Sequence, residues 1–340
     1  MTRRSMLRSE GRAPAGNTES VAIVPLPWRD GLGEGRSLAY GHVAGVNLSQ
    51  KQGPTMGAGD GAIFTRHTAS LPPFSVPYLK GGLQRDVEPV LYVHGLGGGG
   101  KWESFQMALA TVTLTVAPQL PGWQQGQPPE GLDSADAYAG LMLRLLDDVG
   151  LQQVTVIGHS IGGWVAACLA TAHPERVSRL VLIDPLGLDI PAAPSADLAS
   201  LDEDAFAAKT FGKLGLIATA QAYGFGAEWQ NVRNGQEFER QWKGRTTLTG
   251  LLQGRTAAPA MTQALGAFEH DTLLVWGRLD GLAPLGQGEA LQRSMPHATL
   301  QVVERAGHLP MIERPETVNR LVRDYLLGLE EPISEVVQVR

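Results

Sequence analysis

Gly158-His-Ser-Ile-Gly162 sets a serine, Ser160, between two glycines in the pattern G-x-S-x-G. A serine hydroxyl attacks a carbonyl carbon only when it is exposed, oriented and relieved of its proton in the reaction. A sharp turn from strand into helix supplies the first two conditions. It brings backbone segments so close together that the flanking positions must be small. In such a turn the N–H of Ile161 points at the spot where an oxyanion forms, and the helix start adds partial positive charge. The bare pentapeptide is a modest signal in a chain with 42 glycines. Its setting gives it weight: Val154-Thr-Val-Ile157 reads as a short buried strand, and a helix is expected from Ser160 to about Ala172.

An activated serine needs a base, and the base needs an acid to orient it. Leu273-Leu-Val-Trp276 reads as a strand, and Asp280 follows it in Gly-Arg-Leu-Asp280-Gly. A later strand, Thr299 to Val303, leads into Ala306-Gly-His308-Leu-Pro310. The order Ser160, Asp280, His308 is the one expected when all three sit at the carboxyl edge of a mostly parallel sheet. His308 is then expected to take the Ser160 proton and return it to the leaving group. Asp280 would fix the His308 tautomer and stabilise its imidazolium form. Asp280-Gly281 is also a common turn pair, and Asp184, just after the strand Leu180 to Ile183, is the alternative acid.

A second oxyanion donor is expected from His94-Gly-Leu-Gly97, which follows the strand Pro89 to Val93. Leu96 is the predicted donor and Gly97 the next choice, with His94 orienting the loop by hydrogen bonding. A rival reading uses the same glycines: Gly95 to Lys101 matches the phosphate-binding G-x-x-x-x-G-K. That motif requires Ser or Thr next, to place a hydroxyl on Mg²⁺. Here the residue is Trp102, and the reading leaves Ser160, Asp280 and His308 without a role. Cys168, among Ala166, Ala167 and Ala170, reads as a small buried hydrophobe, and His159 as structural. No His, Cys or carboxylate spacing suits a metal, so no metal is expected.

The elements that must position these residues alternate. Ala62 to His67 and Phe74 to Leu79 read as strands, as does the β-branched run Thr111 to Val116. Ala135 to Val149 carries Tyr138, Leu141, Met142, Leu145 and Val149 on one helical face. A last helix starts at Pro315, with Val318, Leu321, Val322 and Tyr325 as its apolar stripe. Alternating strands and helices predict a mostly parallel sheet covered on both faces. The expected organisation is an N-terminal extension over 1–60, partly disordered, and a core over 61–185 and 270–330. Between the core halves a helical cap is expected over 186–269, and 331–340 forms a C-terminal tail.

Composition narrows the partners. The formal net charge of −6 comes with no basic stripe, so nucleic acid is not expected. No window offers about 18 uninterrupted apolar residues, so no membrane span is expected. One cysteine excludes an intrachain disulfide. The first ten residues carry the positive charges of a signal peptide without its apolar stretch. The expected location is the cytoplasm and the expected partner a small ester-like molecule; oligomeric state is not readable.

The sequence resembles the α/β-hydrolase superfamily. His94-Gly-Leu-Gly97, Leu120-Pro-Gly-Trp123, Gly158 to Gly163, Trp276 to Asp280 and Gly307 to Glu316 carry the resemblance, which covers roughly 62–328. It implies an eight-stranded, mostly parallel sheet with flanking helices, a cap after the sixth strand, and no cofactor. Similar proteins usually carry Asp where this chain has Gln119. Relatives with an Asp nucleophile, the haloalkane dehalogenases and epoxide hydrolases, do not fit the serine elbow. Trp276 to Asp280 is similar to carbon–carbon bond hydrolases of ring-cleavage products. Those usually have Gly-Asn-Ser at the elbow and Trp after the catalytic histidine, where this chain has His159 and Leu309. The difference favours a carboxylesterase acting through an acyl-serine. Cofactor-free perhydrolases share the same three residues, and a ligand-binding protein on a hydrolase scaffold is the reading from another class.

Overall fold

A computed structural model of the chain describes residues 20–21, 64–83, 87–96, 98–100, 103–122, 128–211, 244, 257–329 and 336–339. The strands, in chain order, are β1 (Ser20–Val21), β2 (Phe64–Leu71), β3 (Phe74–Gly81), β4 (Val90–Val93), β5 (Thr115–Pro118), β6 (Val154–His159), β7 (Val177–Ile183), β8 (Thr272–Gly277), β9 (Ala298–Val303) and β10 (Val336–Val339). They form one sheet in the order β1-β2-β3-β5-β4-β6-β7-β8-β9-β10. From β5 to β9 every neighbouring pair is parallel, whereas β1/β2, β2/β3, β3/β5 and β9/β10 are antiparallel. The parallel strands β4, β5, β6 and β8 are buried along their whole length. Helices cover both of their faces, so they read as continuous apolar runs without alternation.

The helices are α1 (Ser104–Ala110), α2 (Ala135–Val149), α3 (Ile161–Ala172), α4 (Pro259–Leu265), α5 (Gly286–Ser294), α6 (Pro310–Glu313) and α7 (Pro315–Leu327). Residues 203–211 are helical as well. α2 and α3 pack together on one face of the sheet and α1 and α7 on the other, which gives two apolar cores. α2 starts where Ser134 accepts a hydrogen bond from the Ala137 N–H, and stops at Gly150, whose φ of 77° ends the helix. Of its predicted face, Tyr138, Leu141, Met142 and Leu145 are buried, and Val149 in the last turn is half-buried.

The sheet is mostly parallel, as expected, but has ten strands where eight are expected. The two extra strands are the antiparallel edges. Val336–Val339, expected as part of a tail, pairs with β9, and Ser20–Val21 pairs with β2. Thr111 to Val116 is also shifted. Thr111 closes α1 and only Thr115 onward is strand, because local helix geometry overrides the β-branched run. α5 was not anticipated, since its polar composition hides the short buried stripe of Gln287, Gly288 and Leu291. Of the expected cap, residues 203–211 and α4 are helical, while 212–243 and 245–256 lie outside the described residues. The same is true of 1–19 and 22–63. Among the described residues no helix is long and apolar enough to cross a membrane.

Candidate active site

The sheet order doubles back at β4, with β5 on one side and β6 on the other. The loops leaving β4 and β6 therefore diverge and open a crevice at their carboxyl ends, the usual ligand position in such sheets. Ser160 sits there, between β6 and α3, at φ 57° and ψ −121°. For a non-glycine residue this is a sparsely populated, strained conformation. Its surroundings hold it: the Ser160 N–H donates to Ile183 O, and its carbonyl accepts from Trp164 and Leu186. The flanking glycines meet the expected demand for space. A Cβ at Gly158 would strike the Gly162 carbonyl, and one at Gly162 would strike the carbonyls of Val93 and His94.

Ser160, His308 and Asp280 form one hydrogen-bonded chain. His308 Nε2 lies 2.7 Å from Ser160 Oγ. His308 Nδ1 lies 2.8 Å from Asp280 Oδ2. All three are buried. Asp280 is itself held: its Oδ1 accepts from the N–H groups of Leu282 and Ala283. Together with His308 these donors fix the orientation of the Asp280 carboxyl. The Trp276 indole donates to Ala283 O at 2.8 Å and pins the same turn from the core side.

Backbone contacts hold the acid and base loops together. A Cβ at Gly277 would collide with the Gly307 carbonyl, and one at Gly307 would collide with Thr210 O. Thr210 O accepts from the His308 N–H at 2.7 Å, and Lys209 O from the Gly281 N–H at 2.9 Å. The helix at 203–211 thus touches the loops that carry Asp280 and His308. His159 supplies a further tie. Its Nε2 lies 2.7 Å from His308 O, a carbonyl that can only accept, so the ring carries its proton on Nε2. Burial, with His308 adding a smaller effect, lowers the His159 pKa to about 3 and keeps it neutral.

Glu313, in α6, grips the peptide on either side of His308. Its Oε1 accepts from Gly307 N–H at 3.0 Å and Leu309 N–H at 3.3 Å. Burial pushes its pKa up to about 8 against the pull of those amides. Sequence reasoning missed Glu313, Thr210 and the Gly277–Gly307 contact. The spacing from His308 to Glu313 was the one signal that could have pointed to the first.

The loop after β4 lies against the serine. A Cβ at Gly95 would come within 3.0 Å of Ser160 Cβ. Leu96, the expected oxyanion donor, is buried in this loop, and Gly97 lies outside the described residues. Ile161 is the first residue of α3, so no carbonyl of its own helix takes its N–H. His94 orients the loop: Nδ1 donates to Gly95 O at 2.7 Å and Nε2 accepts from Leu120 N–H at 3.0 Å. Gly98 and Gly99 close over its ring, so these glycines enclose an imidazole where the rival motif needs a phosphate. Lys101 and Trp102 lie outside the described residues. Asp184, the alternative acid, is buried and does not meet His308; its Oδ1 accepts from Gly277 N–H at 2.9 Å. Cys168 is buried in α3, as its alanine neighbours suggest, and burial raises its thiol pKa.

The chain is 30% identical over 262 residues to the dihydrolipoyllysine-residue acetyltransferase component of the acetoin cleaving system of Cupriavidus necator. That match takes in 73% of this chain and spans 65% of the relative's length. It is 29% identical over 257 residues to a 2-hydroxy-6-oxononadienedioate/2-hydroxy-6-oxononatrienedioate hydrolase of Pseudomonas putida, covering 72% of this chain and 89% of that one. Among solved structures, a serine hydrolase from the polyaromatic-hydrocarbon-degrading bacterium Cycloclasticus zankles superposes with a TM-score of 0.58 at 23% identity. That superposition covers 78% of this chain and 98% of the other. The family model for the alpha/beta hydrolase fold matches residues 88–315, which hold the elbow, the acid loop and the histidine loop. With these matches and a mostly parallel sheet carrying the elbow at its switch point, the chain belongs to the α/β-hydrolase fold family.

Proposed function

We propose that this protein is a serine hydrolase that cleaves a carboxylic ester or lactone of a small molecule through an acyl-Ser160 intermediate. The observation that carries the reading is the unbroken hydrogen-bond chain from Ser160 Oγ through His308 to Asp280. As Ser160 Oγ bonds to the carbonyl carbon, His308 Nε2 takes its proton, and Asp280 stabilises the resulting imidazolium. The carbonyl oxygen becomes an oxyanion beside the N–H groups of Leu96 and Ile161. Collapse breaks the ester C–O bond, and His308 protonates the departing alkoxide. Water then repeats the sequence on the acyl-serine and releases the acid and free Ser160.

A second reading is hydrolysis of a carbon–carbon bond by the same residues. The similarity to the Pseudomonas putida 2-hydroxy-6-oxo-dienedioate hydrolase supports it. His159 and Leu309 at the two positions that usually differ in that group support the ester reading instead. Two substrates tested side by side separate them. A p-nitrophenyl ester series of increasing acyl length is expected to turn over with a burst of nitrophenol. A 2-hydroxy-6-oxo-dienoate cleaved rapidly, with negligible ester turnover, would replace the first reading by the second.

A further inference from the structure

Asp184 stands directly after β7, beside Asp280 after the neighbouring strand β8. Its backbone is left-handed, at φ 43°, and its side chain is fully buried. Conformations of this kind persist where the surroundings over-determine them, and they gather at functional sites. Its Oδ1 accepts one hydrogen bond, from Gly277 N–H, and its buried Oδ2 faces no donor. Gly277 joins the two acids: its N–H donates to Asp184 Oδ1 and its carbonyl accepts from the Asp280 N–H, which sets the two carboxyls side by side. Asp280 already accepts from Leu282, Ala283 and His308.

Two neighbouring carboxyls buried away from water strongly disfavour being ionised together. The proton settles on the partner with fewer donors, which is Asp184. We propose that Asp184 is a neutral positioning residue that donates from Oδ2 to Asp280, so that the acid behind His308 keeps a single negative charge and a fixed orientation. This rests on the serine-hydrolase reading above. It also gives the orphaned Oδ2 atom its partner, because a protonated oxygen is a donor and Asp280 is the acceptor beside it. Burial first, and the charge of Asp280 second, raise the Asp184 pKa well above the ordinary carboxylate range. Glu313 also bears on Asp184, and as it ionises toward pH 8 its charge acts in the same direction.

Asp184→Asn is the deciding variant. Asparagine tolerates left-handed backbone, can accept from Gly277 and can donate to Asp280. With p-nitrophenyl butyrate as probe, Asp184→Asn is expected to stay within about threefold of wild-type kcat/KM, since every hydrogen bond is kept. The acid limb of its pH profile is expected not to move, because one neutral donor replaces another. Asp184→Ala removes the donor and is expected to lose about tenfold or more in kcat. An infrared difference spectrum, wild type minus Asp184→Asn at pH 7, is expected to contain the carbonyl stretch of a protonated carboxylic acid. The inference is overturned if that band is absent, if the acid limb of Asp184→Asn moves to lower pH as loss of a negative charge requires, or if Asp184→Asn loses as much activity as Asp280→Asn. The infrared band needs no turnover, so it decides the matter even if Asp184→Ala does not fold. It also separates failure of this inference from failure of the ester reading.

Discussion

Alanine at position 160 keeps a Cβ in the strained turn and removes only the hydroxyl that His308 Nε2 reaches at 2.7 Å. Ser160→Ala is therefore expected to retain the fold and to lose about 10⁴-fold or more in kcat. A loss under tenfold, by steady-state kinetics on folded protein, would remove Ser160 from the mechanism. Asp280→Asn is expected to cost less than Ser160→Ala. It keeps a group beside His308 Nδ1 but can present the wrong hydrogen-bonding end to it. If Asp184→Asn is the more damaging of the two aspartate changes, the acid is Asp184. His159 acts beyond its own turn. Its structural role follows from the sequence, but its bond to His308 O links positions 149 residues apart, which no local pattern records.

At the scale of elements, short turns with strict steric demands were legible. The elbow requires glycine on both sides of Ser160, so sequence alone located it. The backbone confirms the demand at Gly158 and Gly162. Gly162→Ala is expected to force Cβ against the carbonyls of Val93 and His94 and to destabilise the protein by about 1–3 kcal/mol, as overpacking does. Thermal unfolding checks this, and an unchanged melting temperature would mean the strand-to-helix turn is looser than described. α2 was legible because one helical face is apolar and Ser134 and Gly150 mark its ends. The edges were not. β10 carries four residues whose partners in β9 lie 33 to 39 positions upstream, and an exposed edge strand has no face whose burial writes an alternating pattern. The Gly277–Gly307 contact was invisible because each glycine is ordinary alone: Gly277 is required only by the Gly307 carbonyl and Gly307 only by the Thr210 carbonyl, both distant in the chain.

Across the whole molecule, burial of ionisable groups makes stability depend on pH in opposite ways at its two ends. Glu313 titrates near pH 8 in the folded protein against 4.5 for an unperturbed glutamate. Below pH 4.5 both states hold the proton and nothing is lost. As pH rises toward 8 the unfolded chain ionises first, so stability falls. His159 and His94 are lowered to about 3 and about 4, chiefly by burial. Their contribution is whole above pH 6.5 and is lost as pH falls toward those values. Glu313→Gln removes the alkaline loss. Its melting temperature relative to wild type is expected to climb between pH 5 and pH 8, a gain of about a few kcal/mol in stability. A difference that stays flat with pH would show that Glu313 is ionised in the folded protein. The central claim, that Ser160 is the nucleophile of a hydrolase, is tested most directly by labelling the folded protein with a fluorophosphonate and locating the adduct by peptide mass spectrometry. The expected result is one phosphonyl group on Ser160, absent from the Ser160→Ala variant. Folded wild-type protein with no adduct on Ser160, or an adduct that survives Ser160→Ala, would contradict it.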